Sequence, residues 1–312
     1  MLAVESPAPL LSLVVPCFNE SAVLEQFYAA ATRALAELTN IEIIFVDDGS
    51  TDGTLKILQT LAATDARAHY VSFSRNFGKE MAMLAGLREA RGDYTVILDA
   101  DLQHSPALIP AMLSAVRGGE YDCAAVVRTR AGDAPTRAFL SRVFYRAMNY
   151  LSDYEMVDGA GDFRLFSRRY KDALLAVGER HRFSKGLFPW VGFQTQWLYS
   201  ENAARAAGET KWSSRKLALY ALDGLIGFST RLLSLISWGG IITCLLSLAV
   251  LGYLIVAKLA GAMPTDGTTT LGCIIAFFSG VQLFATGIVG QYIAKIHDEV
   301  KKRPHYLVKE KR

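Results

Sequence analysis

VILDADLQHSP, residues 96–106, decides how this chain is read. A run of aliphatic and β-branched side chains ends in two aspartates one residue apart, then an amide and an imidazole. A short apolar run bounded by polar residues is the pattern of a buried strand. Here its end is marked by negative charge. The same arrangement occurs three times upstream, in LSLVVPCFNE (11–20), IEIIFVDDGSTDGT (41–54) and HYVSFSRNFGKE (69–80), and a fifth strand, YDCAAVV (121–127), follows. Between them lie segments with apolar residues at helical spacing: SAVLEQFYAAATRALAEL (21–38), TLKILQTLAA (54–63), KEMAMLAGLREA (79–90) and PALIPAMLSAVR (106–117). This alternation predicts an α/β domain with a mainly parallel sheet flanked by helices. In such sheets ligands bind beyond the carboxyl ends of the strands.

The residues at those ends are polar and mostly carboxylates or amides. One such end is explained by capping or by an Asp-Gly turn; four in succession describe a cleft with carboxylates at its floor and Arg75 and Lys79 at its side. Such a floor repels anions unless a divalent cation bridges them. Side-chain alternation along a strand predicts that Asp99 and Asp101 share a face, and Asp101 with Gln103 repeats the spacing. Hard oxygen donors of this kind suit Mg²⁺ or Mn²⁺. Asp101 can equally cap the helix that follows, which leaves Asp99 unexplained. A metal beside phosphates implies a nucleotide ligand, yet neither G-x-G-x-x-G nor G-x-x-x-x-G-K-[ST] is present. Phosphate must then be held by metal and basic side chains, and Asp48 is placed to hydrogen-bond a base or ribose.

Two long apolar stretches, Leu232–Ala257 and Gly267–Ala294, contain no charged residue. Each exceeds the roughly 20 residues that cross a bilayer as a helix. The basic residues Arg215, Lys216 and Arg231 precede the pair, and Lys295, Lys301, Lys302, Arg303, Lys309, Lys311 and Arg312 follow it. A transmembrane hairpin with both chain ends in the cytoplasm is expected. TRAFLSRVFYRAMNYL (136–151) and SSRKLALYALDGLIGFST (213–230) have the character of basic amphipathic interfacial helices. The chain of 312 residues carries a net charge of only +3, which gives no reason to invoke nucleic acid. Its four cysteines have no metal-type spacing and read as reduced thiols of a cytosol-facing protein. The N-terminus lacks a basic n-region, so no cleaved leader is expected.

VVPCFNE, VDDGSTDGT, RNFGKE and LDADLQ, followed by GDFRLF (161–166), RFSKGLFPWVG (182–192), RAAGETKW (205–212) and the terminal hairpin, resemble the polyprenyl-phosphate glycosyltransferases of family 2. Among these the chain looks most like bacterial bactoprenol glucosyltransferases, with dolichyl-phosphate mannose synthases more distant. The resemblance implies a GT-A fold and inverting transfer of a hexose from a nucleotide diphosphate sugar, with UDP-glucose favoured, to undecaprenyl phosphate at the inner membrane. It implies Asp101 and Gln103 as metal ligands with Asp99 beside the diphosphate. Pro16, Phe18, Asn19, Glu20, Val46 and Asp48 would surround the nucleoside, with Arg75, Lys79 and Ala100 in the donor set. Arg128, Arg205 and Lys211 would contact phosphates, and a homo-oligomer formed through the spans is implied.

A lipid phosphate is already anionic, so a general base is not required, and Arg182 and Lys185 are candidates to position it. The resemblance puts Asp162 at the base-like position of related sugar transferases; the alternative is a structural carboxylate bonded to backbone or to Arg164. The expected organisation is a glycosyltransferase domain over 1–212, a juxtamembrane helix over 213–231, spans at 232–257 and 271–294 joined by an external loop (258–270), and a basic cytoplasmic tail from 295 to 312. Other donors (GDP-mannose, a UDP-4-amino-arabinose derivative, UDP-GlcNAc) and a non-catalytic nucleotide-sugar-binding scaffold remain open. A processive polysaccharide synthase is disfavoured, because Q-x-x-R-W is absent.

Overall fold

A computed structural model describes residues 9–128, 155–200 and 267–312, together with single positions between 142 and 150 and between 238 and 256. The chain opens with β1 (Leu11–Cys17), α1 (Leu24–Ala34), β2 (Ile41–Asp47), α2 (Thr54–Thr64), β3 (Ala68–Phe73), α3 (Lys79–Glu89) and β4 (Tyr94–Ile97). A 3-10 turn (Pro106–Leu108) leads into α4 (Ile109–Arg117) and β5 (Cys123–Arg128). Then come β6 (Ala160–Ser167), α5 (Arg168–Ala176), α6 (Ser184–Trp190), β7 (Thr195–Ser200), the long α7 (Thr268–Val300) and β8 (Val308–Lys311).

All eight strands form one sheet in the order β7-β5-β6-β4-β1-β2-β3-β8. The pairs β1–β2, β1–β4, β2–β3 and β5–β7 are parallel. The sheet is mainly parallel as expected, with β6 antiparallel between β4 and β5 and β8 antiparallel along β3.

Every residue of β1 and β2 is buried, which is why both read as continuous apolar runs rather than alternating ones. Successive side chains feed opposite layers: Leu13 and Val15 join Phe27, Phe45 and Leu58 on one side, and Val14 joins Val46, Met83 and Leu87 on the other. Helix α3 buries Ala82 through Leu87 without a gap, so it has no polar stripe. It lies this close to β1 because residue 86 is glycine; a Cβ there would sit 2.2 Å from Val14 Cγ1. The result is a three-layer α/β/α domain whose parallel strands end together at one edge.

Helix α7 contains the whole predicted second span. Its segment Phe277–Val300 is long and apolar enough to cross a membrane, the one such helix among the described residues. Half of the first predicted span lies outside the described residues, and those described between 238 and 256 are helical. The predicted interfacial helix at 213–230 lies wholly outside them, and that at 136–151 nearly so. Within the expected basic tail (295–312), residues 295–300 belong to α7 and residues 308–311 form the edge strand β8.

Candidate active site

The loops beyond β1, β2, β3 and β4 hold one another in place. Asn19 adopts a left-handed backbone (φ 54), which asparagine tolerates better than most residues. Its N–H donates to Ser50 Oγ at 2.9 Å, and its Oδ1 accepts the Thr51 N–H at 2.9 Å. The Glu20 N–H donates to Thr54 Oγ1, and Asp52 accepts the N–H groups of Ser21 and Thr54. Asp47 accepts from the Ser50 N–H and from Ser72 Oγ. Much of the polar character of PCFNE and DDGSTDGT therefore shapes the cleft rather than facing into it.

Asp48 is only 3% exposed. Its carboxylate accepts the Phe77 N–H at 2.6 Å and the Gly78 N–H at 2.9 and 3.1 Å, so β2 fixes the SRNFGK loop. Burial pushes its pKa up to about 6 against the opposing pull of those two N–H groups. Gly49 (φ +68) makes this contact possible, because a Cβ there would lie 2.4 Å from the Arg75 carbonyl carbon. Val46 and Ala100 are buried in the two core layers, and Pro16 lies opposite Val46 in register. What Val46 and Ala100 can offer a ligand is backbone. Phe18 is half-buried, and the Arg75 guanidinium lies 4.0 Å over the Phe77 ring.

Past β4 the chain does not continue as a strand. Asp99 to Gln103 form a turn with Leu102 left-handed (φ 58), so strand alternation is not what brings Asp99 and Asp101 to the cleft. Asp101 Oδ1 accepts the Gln103 N–H at 3.1 Å. Asp99 Oδ2 lies 2.8 Å from Lys79 Nζ. The same ammonium lies 2.6 Å from Asp162 Oδ2, so the first residue of α3 ties the end of β4 to β6. Asp162 thus pairs with Lys79, not with Arg164 as its neighbour in sequence suggested.

Burial disfavours a charged Lys79, but Asp162 and Asp99 outweigh it and raise its pKa. Burial would likewise raise Asp162; the charges of Lys79, Lys185 and Arg164 override it and hold the carboxyl below the usual range. Asp162 is therefore an ionised carboxylate and a weak base. Among the described residues, no three His, Cys, Asp or Glu side chains gather as a ready-made metal cage. Asp99, Asp101 and Gln103 bring hard oxygen donors to one turn, the donor type that small hard cations take.

Glu80 turns away from Asp99 and accepts the Ser184 N–H at 3.0 and 3.1 Å, together with the Ser184 hydroxyl. Burial and the charge on Asp162 push its pKa up to about 7, with the Ser184 bonds opposing. The bond joins α3 to the start of α6, a pairing 104 residues apart that sequence reasoning missed. Lys185, the next residue, lines an open pocket with Glu155, Arg164, Met156, Val157, Phe188 and Trp197. Arg164, 4% exposed, donates to the Gly161 carbonyl and stacks over the Phe188 and Trp197 rings at 4.3 and 5.4 Å.

Arg182 does not share that pocket. Its guanidinium donates to the carbonyls of Val177 and Leu174 and closes the C-terminus of α5, which leaves Lys185 as the cation of the expected pair at the pocket. Arg128 closes β5, but its side chain lies outside the description, as do Arg205 and Lys211 entirely. His104 packs against Phe163 at 5.5 Å, and Cys17 and Cys123 are buried free thiols.

Residues 12–175 match the family model for glycosyl transferase family 2. CsbB of Bacillus subtilis, named as a glycosyltransferase, is 40% identical over 302 residues, covering 96% of this chain and 92% of its own. The SfII prophage-derived bactoprenol glucosyl transferase of Shigella flexneri is 36% identical over 301 residues, covering 96% of this chain and 97% of its own. Glucosyl-3-phosphoglycerate synthase of Mycobacterium tuberculosis, solved with Mn²⁺, UDP-glucose and phosphoglyceric acid, shares the fold at 17% identity and a TM-score of 0.51, over 70% of this chain and 78% of its own. Sheet, cleft and relatives agree: the chain belongs to glycosyl transferase family 2 and is a glycosyltransferase.

Proposed function

We propose that this enzyme transfers a hexose, glucose from UDP-glucose, to undecaprenyl phosphate at the cytoplasmic face of the inner membrane. One observation carries the reading: Asp162, the carboxylate at the base-like position of GDFRLF, is held ionised by Lys79 and is a poor proton acceptor. An alcohol acceptor needs a base, whereas a lipid phosphate arrives as an anion and attacks without losing a proton. Its oxygen forms the bond to the anomeric carbon as the bond to the donor's β-phosphate breaks, and configuration inverts in that single displacement.

The pocket suits such an acceptor, since Lys185 and Arg164 offer positive charge among Met156, Val157, Phe188 and Trp197. Asp101, Gln103 and Asp99 are the oxygen donors that would hold Mg²⁺ or Mn²⁺, whose charge would neutralise the departing diphosphate. Arg75 and Lys79 stand beside the same leaving group. The name of the Shigella relative supports the lipid acceptor and the glucosyl group, and the ligands of the Mycobacterium enzyme support a divalent cation with a UDP-sugar. The apolar α7 supports membrane anchoring, and the sequence reading adds a second span, both chain ends in the cytoplasm and assembly as a homo-oligomer.

The test is incorporation of label from UDP-glucose into an undecaprenyl-phosphate fraction by detergent-solubilised protein. GDP-mannose, UDP-GlcNAc and a UDP-4-amino-arabinose derivative are run beside it. The reading requires a lipid-soluble product with UDP-glucose that is lost on chelation and in Asp101→Ala. Product from another donor alone would replace the sugar, and donor binding with no product from any donor would make the protein a scaffold.

A further inference from the structure

The C-terminal segment is built into the sheet beside the loop that carries Arg75 and leads into Lys79. In β8, Lys311 pairs with Val71 and Glu310 with Ser72, and the backbones of Arg312 and Tyr70 exchange two hydrogen bonds of 3.0 Å. Ser74, the first residue after β3, donates its N–H to the Leu307 carbonyl at 2.9 Å. The register slips between Ser72 and Phe73. There the Tyr306 ring stacks on Phe73, with centroids 4.8 Å apart and planes at 17°, and the Arg88 guanidinium lies 5.6 Å from the Tyr306 ring. Phe73 in turn meets Phe77 edge-on at 5.7 Å.

The loop from Ser74 to Gly78 is therefore held from two sides. Asp48 and Gly49 grip it from β2, and Tyr306 and Leu307 from a segment more than 200 positions later in the chain. The same segment is fastened to the end of α7. Arg180 donates its backbone N–H to Glu299 and its guanidinium to the carbonyls of Arg303 and Pro304, and His181 lies 3.3 Å from Asp298.

We propose that Tyr306 is a positioning residue for donor binding: its ring, stacked on Phe73, pre-sets the Ser74–Gly78 loop so that Arg75 and Lys79 meet the nucleotide-sugar without first ordering the backbone. The inference rests on the reading of this cleft as a donor site. Ordering a loop at the moment of binding weakens affinity, and a contact that orders it beforehand strengthens it. A stacked aromatic pair sets the scale, about three- to tenfold in a binding constant.

The experiment measures UDP binding with Mn²⁺ by calorimetry on the full-length protein in detergent, and donor and acceptor kinetics on the same samples. Tyr306→Ala should weaken UDP binding and raise the donor KM by about three- to tenfold. It should leave the acceptor KM unaltered, and kcat at saturating donor within about a factor of two, below the shift assigned to the stack. Tyr306→Phe, which keeps the ring, should match the wild type, and so should Lys311→Ala, which removes only the exposed pair with Glu89. Should Tyr306→Ala not fold, Tyr306→Leu keeps apolar cover over Phe73 without the stack and is read in the same way. UDP affinity equal to that of the wild type, or a loss shared equally between kcat and both KM values, overturns the proposal alone. A wild-type protein that does not bind UDP overturns the donor-site reading with it.

Discussion

Replacing Glu80 by glutamine should abolish a pH dependence of stability that the fold creates. In the unfolded chain Glu80 titrates at its ordinary 4.5; in the folded protein, burial moves it to about 7, with Asp162 adding to the rise and Ser184 and Lys79 opposing it. Arg182 is the other charge that senses this carboxyl. The native state therefore holds the proton more tightly than the unfolded chain does. The stabilisation from that proton is complete below pH 4.5, declines through the interval and is gone above pH 7. At about 1.36 kcal/mol per pH unit the interval amounts to about 3 kcal/mol, an upper bound because the side chain reaches the edge of the cleft. Glutamine imitates the protonated form, still accepts the Ser184 N–H and does not titrate. Thermal unfolding in detergent should therefore show the variant gaining on the wild type between pH 4.5 and pH 7.5 by at most about 6–12 °C, taking about 2–4 °C per kcal/mol for a domain of this size. A difference in Tm that stays constant over that range would refute the argument, because Glu80 would then titrate alike in both states.

Three further outcomes follow from the same geometry. Lys79→Met removes the ammonium shared by Asp99 and Asp162 and should lower kcat/KM for transfer by on the order of 10²-fold, with Lys79→Arg recovering part of it. Asp48→Ala leaves the Phe77 and Gly78 N–H groups without their acceptor, at about 1–3 kcal/mol each, and should weaken UDP binding at least about tenfold in a calorimetric titration. Gly86→Val drives a side chain into Val14 and should destabilise the domain by about 1–3 kcal/mol, read as a lower Tm; Val14→Ala in the same chain should restore most of the loss.

Much of the fold is legible in the sequence because its first half is built from local patterns. LSLVVPC and IEIIFVD announce buried parallel strands by their unbroken apolar runs, and both are buried at every position. Helix α1 announces itself through Leu24, Phe27 and Ala31 at helical spacing. The second half is less readable. GDFRLF stands out as a motif, but nothing in it reveals that β6 enters the sheet antiparallel beside β4. VKEK in β8 has the composition of a solvated tail, and only its backbone pairing with β3 makes it a strand.

The sequence by itself determined which chemistry gathers at the strand ends, because carboxylates after apolar runs must emerge where a parallel sheet meets solvent. It also determined that Gly267–Ala294, which makes up most of α7, carries no charged residue. The tertiary structure decided the pairings. Lys79 meets Asp162 across 83 positions, Glu80 meets Ser184 across 104, and Arg182 is drawn to helix carbonyls instead of the pocket. Sequence periodicity reports neighbours within a turn of helix or a step of strand. Contacts made by distant segments depend on how the layers pack, so the partners of Lys79, Glu80 and Tyr306 became visible only in the folded chain.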